Sequence, residues 1–352
     1  MKKELGCALI GCGVISRTHA SQITELDGAR LVAVADVIEE KAKKVAEEFS
    51  CDYYIDYHQM LQREDIDVVH VLTPSGMHAD VAIDAARAGK HVISEKPMDI
   101  TMEKARLMIE ECNRANVKLG VISQHRFDDA TVKLKEVIDE GKLGNIVIGN
   151  CAVNFYRSQG YYDSGEWRGT WALDGGGSLM NQSIHTIDLL QYLAGPIESI
   201  YAHTATLAHV RIEVEDAAVA TVRFKSGAIG TIVGTTSAYP GLANRVEIFG
   251  TSGSAVIDDD ELTHLYFKRK SEEGSSYGDG KAVNVANEYM SNFSANVTVS
   301  NSHGREIADF LDAIRDNREP LINGLEGMKP LEIILAIYQS AQTGQEITLP
   351  LN

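Results

Sequence analysis

Three groups of residues in this chain of 352 residues have side-chain types and spacings that suit catalysis, and the first is Glu95-Lys96-Pro97. This tripeptide follows a short apolar run, so Lys96 stands at the carboxyl end of a predicted strand. A lysine amine that is partly desolvated in a crevice has a lowered pKa and can take a proton from a hydroxyl group. Taken alone, Lys96 is more consistent with a surface lysine, and only the accompanying motifs favour catalysis.

The second group begins with three glycines, Gly175 to Gly177, and continues with Asn181, His185 and Asp188. On a helix predicted over 178–193, spacings of four and three place the last three side chains on one stripe. Asn181 and His185 then both face a substrate, with Asp188 near the imidazole, and the glycines let the backbone approach a ligand. The alternative for His185 is a buried, structural histidine. We predict that Lys96, His185 and Asn181 are catalytic.

The third group, around Gly11 and Gly13, predicts a nucleotide-binding turn between the first strand and a helix. Gly11 permits the tight turn, Gly13 lets a pyrophosphate approach the backbone, and the helix N-terminus supplies amide donors. Asp36 ends the second predicted strand, where a carboxylate binds the adenosine ribose; its alternative role is a helix N-cap. No cation follows Asp36 before Lys41, which favours NAD over NADP. The predicted cofactor-binding residues are Gly11, Gly13, Val14, Ile15, Asp36, Thr73, Pro74, Ser75, His78, Glu95 and Lys96.

Both tryptophans of the chain lie in the segment 161–171, which precedes the three glycines. Tryptophan and tyrosine rings stack on the C–H faces of sugars, and an arginine such as Arg168 binds a carboxylate or phosphate bidentately. The alternative is that the tryptophans only anchor a loop. The predicted substrate-binding residues are Arg126, Tyr162, Trp167, Arg168, Trp171, Asn181 and His185. We interpret His209, farther along the chain, as a surface residue.

The elements that must position these residues follow two different patterns. Up to residue 122, apolar runs at 5–10, 31–35, 68–72, 91–94 and 118–122 alternate with amphipathic stretches at 39–49, 79–88 and 101–115. This alternation predicts a parallel sheet covered on both faces. Beyond it, longer alternating segments at 145–156, 197–207, 214–224, 228–237, 245–249 and 255–257 predict a mostly antiparallel sheet with one covered face.

We therefore expect an α/β protein with a doubly wound Rossmann domain over 1–122. An α+β domain over 123–352 follows, with a large, mostly antiparallel, open-faced sheet. Helical patterns at 304–316 and 327–343 can return to the first domain, and 272–281 is interpreted as a mobile loop. Val219, Thr221 and Ile232 are predicted to contribute apolar surface to the uncovered face, which would need a partner.

Composition limits the classes of function. The formal net charge of -17 opposes binding to nucleic acid and to acidic membranes. No apolar run is long enough to span a membrane and no secretory pattern is recognised, so we expect a cytoplasmic protein. The five cysteines form no C-x-x-C pair, which predicts reduced thiols and no metal site.

Taken together, Gly11-x-Gly13, Glu95-Lys96-Pro97 and the pattern from Gly175 to Asp188 resemble the Gfo/Idh/MocA family, as does the closing segment 337–350. The resemblance implies an NAD(P)-dependent oxidoreductase of sugars, cyclitols or nucleotide sugars that forms homodimers or homotetramers. It implies that Lys96 is the catalytic lysine and His185 the active-site histidine, whereas Asn181 stands where many members have aspartate. Segments 161–171 and 179–182 are similar to the UDP-N-acetylglucosaminuronate 3-dehydrogenase branch.

We expect hydride transfer between a secondary alcohol of such a substrate and the nicotinamide of NAD. One alternative is a glycosidase or lyase that oxidises its substrate only transiently and leaves NAD unchanged after each turnover. The other is a non-enzymatic dinucleotide sensor, against which the presence of Lys96 and His185 argues.

Overall fold

The computed structural model describes residues 4–269, 282–291 and 301–351, and the chain divides into two compact units. The first unit comprises Met1–Gln124, Trp167–Gly175 and Val297–Leu331, and the second comprises His125–Glu166, Gly176–Asn296 and Glu332–Asn352. The expected loop at 272–281 lies outside the described residues. The domain limits at 122 and 123 remain predictions.

The strands of the two units are β1 Leu5–Ile10, β2 Ala29–Ala35, β3 Asp52–Tyr54, β4 Val68–Val71, β5 His91–Ser94, β6 Leu119–Val121, β7 Ile146–Asn154, β8 Ile197–Ala205, β9 Ala217–Phe224, β10 Ile229–Thr235, β11 Arg245–Gly250, β12 Gly253–Asp258, β13 Glu261–Phe267 and β14 Ile347–Thr348. The helices are α1 Ser16–Glu25, α2 Glu39–Phe49, α3 Tyr57–Leu61, α4 His78–Arg87, α5 Met102–Arg114, α6 Asp129–Asp139, α7 Gln159–Asp163, α8 Ile184–Ala194, α9 Ala286–Ser291, α10 Ser302–Arg315 and α11 Gly324–Thr343. No helix among the described residues is long and apolar enough to cross a membrane.

The first unit is built on a six-stranded parallel sheet with the order β3-β2-β1-β4-β5-β6. Strands β1 and β4 are buried throughout, as expected for a sheet covered on both faces. Strand order reverses between these two strands, and doubly wound sheets bind ligands outside the carboxyl ends of the strands at such a point. The carboxyl ends of β1 and β4 are therefore the expected cofactor edge.

Helix α10 completes the core of the first unit, where Ile307, Phe310 and Leu311 join the apolar side chains of β1, α1 and α2. A Cβ atom at Gly120 in β6 would lie 2.7 Å from the ring of Phe310. Glycine at this position therefore allows the helix to pack against the strand.

The second unit contains an eight-stranded sheet with the order β13-β12-β11-β7-β10-β9-β8-β14. Neighbouring strands are antiparallel except for the parallel pair β7 and β10. Helix α8 packs on one face, against β7 and β11. Side chains of β9 alternate between buried and exposed, so Val219 and Thr221 point away from the core. Ile232, predicted on the same open face, is buried, because the alternation in β10 places it on the covered face.

The predicted fold class is confirmed, and three local differences have physical reasons. Strand β3 was not predicted because it is a short edge strand with exposed side chains. Strand β13 was missed because its two buried leucines, Leu262 and Leu265, stand three residues apart and break the period of two. The helix predicted over 178–193 begins instead as a π-helical turn, Ser178–Ser183, and only then continues as α8.

Candidate active site

The turn after β1 contains two glycines in different surroundings. Gly11 has a φ of +104°, and a Cβ atom there would lie 2.5 Å from the carbonyl oxygen of Leu72. Gly13 has open space where its Cβ would be, so the protein interior does not require glycine at that position. Val14 follows with 89% exposure, and Ile15 precedes the first turn of α1. An open glycine before a helix N-terminus is a cradle into which a phosphate group fits.

Asp36 lies at the end of β2 beside this turn. Its Oδ2 accepts a hydrogen bond of 2.8 Å from the backbone N–H of Cys12, and its Oδ1 accepts one of 2.8 Å from Ile38. Helix α2 begins with no side-chain cap, so Asp36 does not serve as its N-cap. Val37 and Ile38, which the sequence analysis did not single out, are exposed apolar side chains next to this carboxylate.

The loop after β4 brings four of the predicted residues together. The Oγ1 atom of Thr73 is buried and has no hydrogen-bond partner among the described residues. Pro74 and Ser75 lead into a short 3-10 helix, Ser75–Met77. The buried ring of His78 lies 2.7 Å from the carbonyl oxygens of both Thr73 and Pro97, so it ties this loop to the loop after β5. That placement favours a structural role for His78 over direct cofactor contact.

Glu95 and Lys96 directly follow β5, and Glu95 lies beside two buried histidines. Nε2 of His19 donates to Oε1 of Glu95 at 3.0 Å, and the Nδ1 atoms of His19 and His70 are 2.9 Å apart. The backbone N–H of Lys96 donates to Oε2 of Glu95 at 3.2 Å. Burial alone would raise the pKa of Glu95, but the hydrogen bond and charge of His19, with the charge of Lys96, hold it at about 2. An ionised, fixed carboxylate therefore stands next to the predicted catalytic lysine.

His70, which no sequence motif indicated, has a pKa held well below its ordinary range, first by burial and then by the neighbouring His19. It is therefore a neutral imidazole with one N–H.

The residues His19, Glu95 and His303 have ligand atoms within 4.8 Å of one another, as do His125, Asp128 and Asp260. Hydrogen bonds and charge pairing account for both groups, and the absence of a metal site remains a prediction.

In the second unit, the buried carboxylate of Glu215 fixes the beginning of the π-helical turn. Its Oε2 accepts from the N–H of Gly177 at 3.0 Å, and its Oε1 accepts from the N–H of Leu179 at 2.8 Å and the hydroxyl of Tyr338 at 3.1 Å. A Cβ atom at Gly177 would lie 1.8 Å from the carbonyl oxygen of Glu215. The close approach of these two segments explains the last glycine of the motif, and no sequence pattern indicated Glu215.

Asn181 lies within the π-helical turn and belongs to a chain of polar side chains. Nε2 of Gln182 donates to Oδ1 of Asn181 at 3.1 Å and to the hydroxyl of Tyr161 at 3.0 Å. Nη2 of Arg157 donates to Oε1 of Gln182 at 2.7 Å. Asn181 lies in a π-helical turn, which has more residues per turn than the α-helix assumed for this segment. That Asn181 and His185 share one face stays a prediction.

His185 lies in the first turn of α8, with its ring centroid 5.1 Å from that of His125 in an edge-to-face arrangement. Nδ1 of His125 lies 2.7 Å from Oδ2 of Asp128 and 3.0 Å from Oδ1 of Asp260. Burial alone would lower the pKa of His125, but its bonds to the two carboxylates raise the pKa to about 10. An imidazolium therefore neighbours the predicted active-site histidine at neutral pH. Sequence reasoning assigned no role to His125 and did not indicate either carboxylate.

Arg126 and Asp188 form a buried ion pair with two hydrogen bonds. Nε and Nη2 of the arginine lie 2.7 and 2.6 Å from the two carboxylate oxygens, and the guanidinium lies 4.5 Å from the ring centroid of Tyr192. Arg126 is only 2% exposed. This placement favours a structural role for Arg126 over the predicted contact with substrate.

The aromatic segment is divided between the two units. In the second, Tyr162 is buried with its hydroxyl 3.0 Å from Oγ1 of Thr236, which favours a packing role. In the first, the guanidinium of Arg168 lies 4.6 Å from the ring centroid of Trp167, and Trp171 is exposed. The N–H of Gly76 donates to the carbonyl oxygen of residue 173 at 3.0 Å. The tryptophan segment thus lies against the loop after β4, at the expected cofactor edge.

The His209 side chain, interpreted as exposed, is instead buried. Its Nδ1 lies 3.0 Å from Oδ2 of Asp216, and its Nε2 lies 2.7 Å from the carbonyl oxygen of Arg157. The backbone N–H groups of residues 207, 208 and 209 also donate to Asp216. The His209 side chain therefore holds the backbone of Arg157, a residue that no sequence motif indicated.

Comparison with known proteins agrees with this arrangement. Residues 5–123 match the model of an oxidoreductase family described as an NAD-binding Rossmann fold, and residues 135–349 match its C-terminal alpha/beta domain. The scyllo-inositol 2-dehydrogenase (NAD(+)) of Bacillus subtilis is 28% identical over 99% of this chain and 97% of its own length. The WlbA dehydrogenase of Bordetella pertussis, solved with NADH and UDP-GlcNAcA, is 34% identical with a TM-score of 0.88, covering 99% of each chain. The chain therefore belongs to the Gfo/Idh/MocA family of oxidoreductases and uses NAD as its coenzyme.

Proposed function

We propose that the protein oxidises a ring CH–OH group of a sugar-like substrate, or reduces the matching ketone, with Lys96 as the proton-transferring group. The observation that carries this proposal is the position of Lys96 at the carboxyl end of β5, with its backbone N–H bound to the ionised carboxylate of Glu95. A lysine at the cofactor edge of a Rossmann sheet suits proton exchange with a substrate hydroxyl.

The residues of the cofactor edge fit NAD, which supplies a hydride acceptor when it is bound. Open space at Gly13 and the amide groups at the start of α1 would hold the pyrophosphate. Asp36 would bind the adenosine ribose, and the exposed side chains of Val37 and Ile38 would pack against the adenine. The buried hydroxyl of Thr73, which lacks a partner among the described residues, would bind a polar group of the cofactor.

In the second unit, His185 and Asn181 complete the proposed catalytic group. His185 would hydrogen-bond the reacting oxygen, and its ring lies beside the imidazolium of His125. Asn181, whose Oδ1 accepts from Gln182, is held in one amide orientation, so its Nδ2 can donate to a substrate oxygen. Asn181 cannot take up a proton, and its proposed role is therefore to orient the substrate.

Among sugar-like substrates, we favour a nucleotide-linked sugar acid. The WlbA dehydrogenase solved with UDP-GlcNAcA is 34% identical to this chain, against 28% for the inositol dehydrogenase. A cyclitol is the second candidate, because the inositol enzyme covers nearly the whole chain. We also propose that the protein works as a homo-oligomer, since the second sheet leaves an exposed face.

The first prediction tests the reaction. NADH formation, followed by absorbance, is measured with UDP-GlcNAcA, UDP-GlcNAc, free sugars and inositols. We expect oxidation of at least one substrate and, for Lys96→Met, turnover lowered by about 10²- to 10⁴-fold with unchanged NAD affinity, which is the usual effect of removing a positioned acid–base group. A matched control is Lys104→Met, a partly exposed lysine that pairs with Asp80.

Two outcomes would contradict the proposal. Near-normal turnover in Lys96→Met would remove the lysine from the catalytic group. Conversion of a sugar without net NADH would instead support a glycosidase or lyase that oxidises its substrate only transiently.

A further inference from the structure

Arg157 is held between two aromatic rings in the second unit. Its guanidinium carbon lies 4.8 Å from the ring centroid of Phe155 and 5.4 Å from that of Tyr161. Nη2 donates to Oε1 of Gln182 at 2.7 Å, and Nη1 donates to the backbone carbonyl oxygen of residue 156 at 3.1 Å. Stacking and two hydrogen bonds therefore restrict the guanidinium to one orientation.

The charge of Arg157 is not balanced by a carboxylate. Within residues 4–269, 282–291 and 301–351, the structure shows no ion pair for this side chain, and both of its hydrogen-bond acceptors are neutral. Three other arginines of the second unit, Arg126, Arg211 and Arg245, each pair with a carboxylate. In a chain with a formal net charge of -17, an arginine without such a partner is a candidate for binding an external anion.

The backbone of Arg157 is also fixed. Its N–H donates to the carbonyl oxygen of Thr236 at 2.8 Å, and its carbonyl oxygen accepts from Nε2 of His209 at 2.7 Å. His209 is in turn held by the buried carboxylate of Asp216. A side chain and a backbone that are both restrained lose little entropy on binding, which is the condition for a preorganised ligand site.

Arg157 shares a hydrogen-bond chain with a residue of the proposed catalytic group. The chain runs from Arg157 to Gln182 and from Gln182 to Asn181, with a branch to the hydroxyl of Tyr161. A ligand atom bound by the amide of Asn181 therefore lies within a few side-chain lengths of the guanidinium. The same substrate molecule can be held at both ends of this chain.

We propose that Arg157 determines specificity by binding an anionic group of the substrate, in the first place the carboxylate of a sugar acid. The inference rests on the proposed function and deepens it by naming the charged substrate class. A guanidinium presents parallel N–H donors to the two oxygens of a carboxylate, and it can also bind a phosphate.

The second prediction uses binding rather than turnover, so that it can be tested separately from the reaction. Isothermal titration with NADH-loaded protein compares four ligands: UDP-GlcNAcA, UDP-GlcNAc, free glucuronate and myo-inositol. For Arg157→Gln we expect about 10- to 100-fold weaker binding of the two acids, and less than about threefold change for myo-inositol, since a hydrogen bond to a charged group has this worth. Arg157→Lys keeps the charge but loses the planar donors, and it should be intermediate.

Three controls separate anion binding from a structural role. Gln182→Leu keeps the charge of Arg157 but removes its bond to Gln182 and breaks the chain to Asn181, so it should weaken all four ligands, and the two acids less than Arg157→Gln does. Arg245→Gln removes a half-exposed arginine that pairs with Glu247, and it should change none of them. The affinity of the wild type for the acids should fall with rising salt, and this dependence should be smaller in Arg157→Gln.

Each outcome decides between specific alternatives. A loss confined to ligands with a carboxylate supports the proposal, and a loss that follows the diphosphate supports anion binding while moving it to the phosphate. Equal weakening of acids and myo-inositol by Arg157→Gln would overturn it. If Arg157→Gln weakens the binding of acids but the wild type oxidises no substrate, the anion site stands and the proposed reaction fails. If the wild type oxidises neutral sugars and Arg157→Gln changes no affinity, the reaction stands and the anion site fails.

Discussion

Single glycines show how far chemistry can be inferred from residue type. The G-x-G pattern is the same in any tight turn, but the structure separates its two members. Gly11 is required by its positive φ and by the carbonyl oxygen of Leu72, whereas a Cβ atom at Gly13 would have no described atom within 4 Å. A glycine that the fold does not require is best explained by a bound ligand that needs the space a side chain would fill.

The third prediction follows from this difference. Gly13→Ala should leave the free energy of unfolding of the cofactor-free protein unchanged or raise it by up to about 1 kcal/mol, because the unfolded chain loses entropy. It should weaken NAD binding by at least about tenfold, because the methyl group occupies the cradle. Urea denaturation and calorimetric titration measure the two effects.

Gly11→Ala is the matched control. It forces a left-handed residue against a backbone oxygen and should lower the free energy of unfolding by about 2 kcal/mol or more. Unchanged NAD affinity in Gly13→Ala, with an intact fold, would place the pyrophosphate elsewhere.

At the scale of elements, sequence patterns located the helix that carries Asn181 and His185 but not its geometry. The period of apolar residues predicts a helix near 178–193, whereas the π-helical turn depends on Glu215, which lies far along the chain and satisfies the N–H groups of Gly177 and Leu179. No local pattern contains that information, because the partner acts across the fold. The same limit applies to His125, whose carboxylate partners come from two different elements.

The two segments that supply the carboxylates beside His125 lead to the fourth prediction. Asp128 precedes α6, and Asp260 lies in the two-residue turn between β12 and β13, where Asp259 and Asp260 both have positive φ. The pKa of His125 in the folded protein, about 10, is above its ordinary value of 6.5. The corresponding stabilisation is therefore fully present below pH 6.5 and is lost as the pH rises through 10.

Asp260→Asn removes one of the two carboxylates, so the pKa of His125 should move back towards 6.5. The decline in the free energy of unfolding should still begin near pH 6.5, but it should become smaller and end at a lower pH than 10. Urea denaturation at a series of pH values measures this decline, and Glu261→Gln, an exposed carboxylate next in the chain, should leave it unchanged. An identical pH profile for wild type and Asp260→Asn would show that the carboxylate of Asp260 does not raise the pKa of His125.

At the scale of the whole molecule, composition and periodicity predicted the parallel sheet of the first unit and the mostly antiparallel sheet of the second. A strand that is buried on both faces has a continuous apolar run, and a strand that is buried on one face has an alternating pattern. The Rossmann motif and Lys96 could be placed for the same reason, since strand ends fix them. The roles of Arg126 and Arg157 could not be distinguished from sequence. One is buried against Asp188 and the other stacks between aromatic rings, and only the assembled fold decides which arginine has its charge balanced.

The open face of the second sheet remains the strongest indication of a partner. Tyr201 in β8, Val219 in β9 and Ile229 in β10 are exposed on adjacent strands, and His203 lies opposite Val219. A broad face with several exposed apolar side chains is more typical of an interface than of a solvated surface. A second copy of this chain can cover it by packing the same face in a symmetric dimer.

The fifth prediction tests that assembly. Light scattering at micromolar concentration should give the mass of a dimer or tetramer, because a stable interface buries roughly 1,000 Å² or more and this face can supply it. Val219→Asp places a charge at the centre of the face on a side chain that is already exposed, so each protomer should fold while the oligomer dissociates. Leu207→Asp, at an exposed apolar residue of a loop in the same unit, is the matched control and should leave the mass unchanged. A wild-type monomer, or an oligomer of unchanged mass in Val219→Asp, would mean that this face is solvated and that the sheet is stable without a partner.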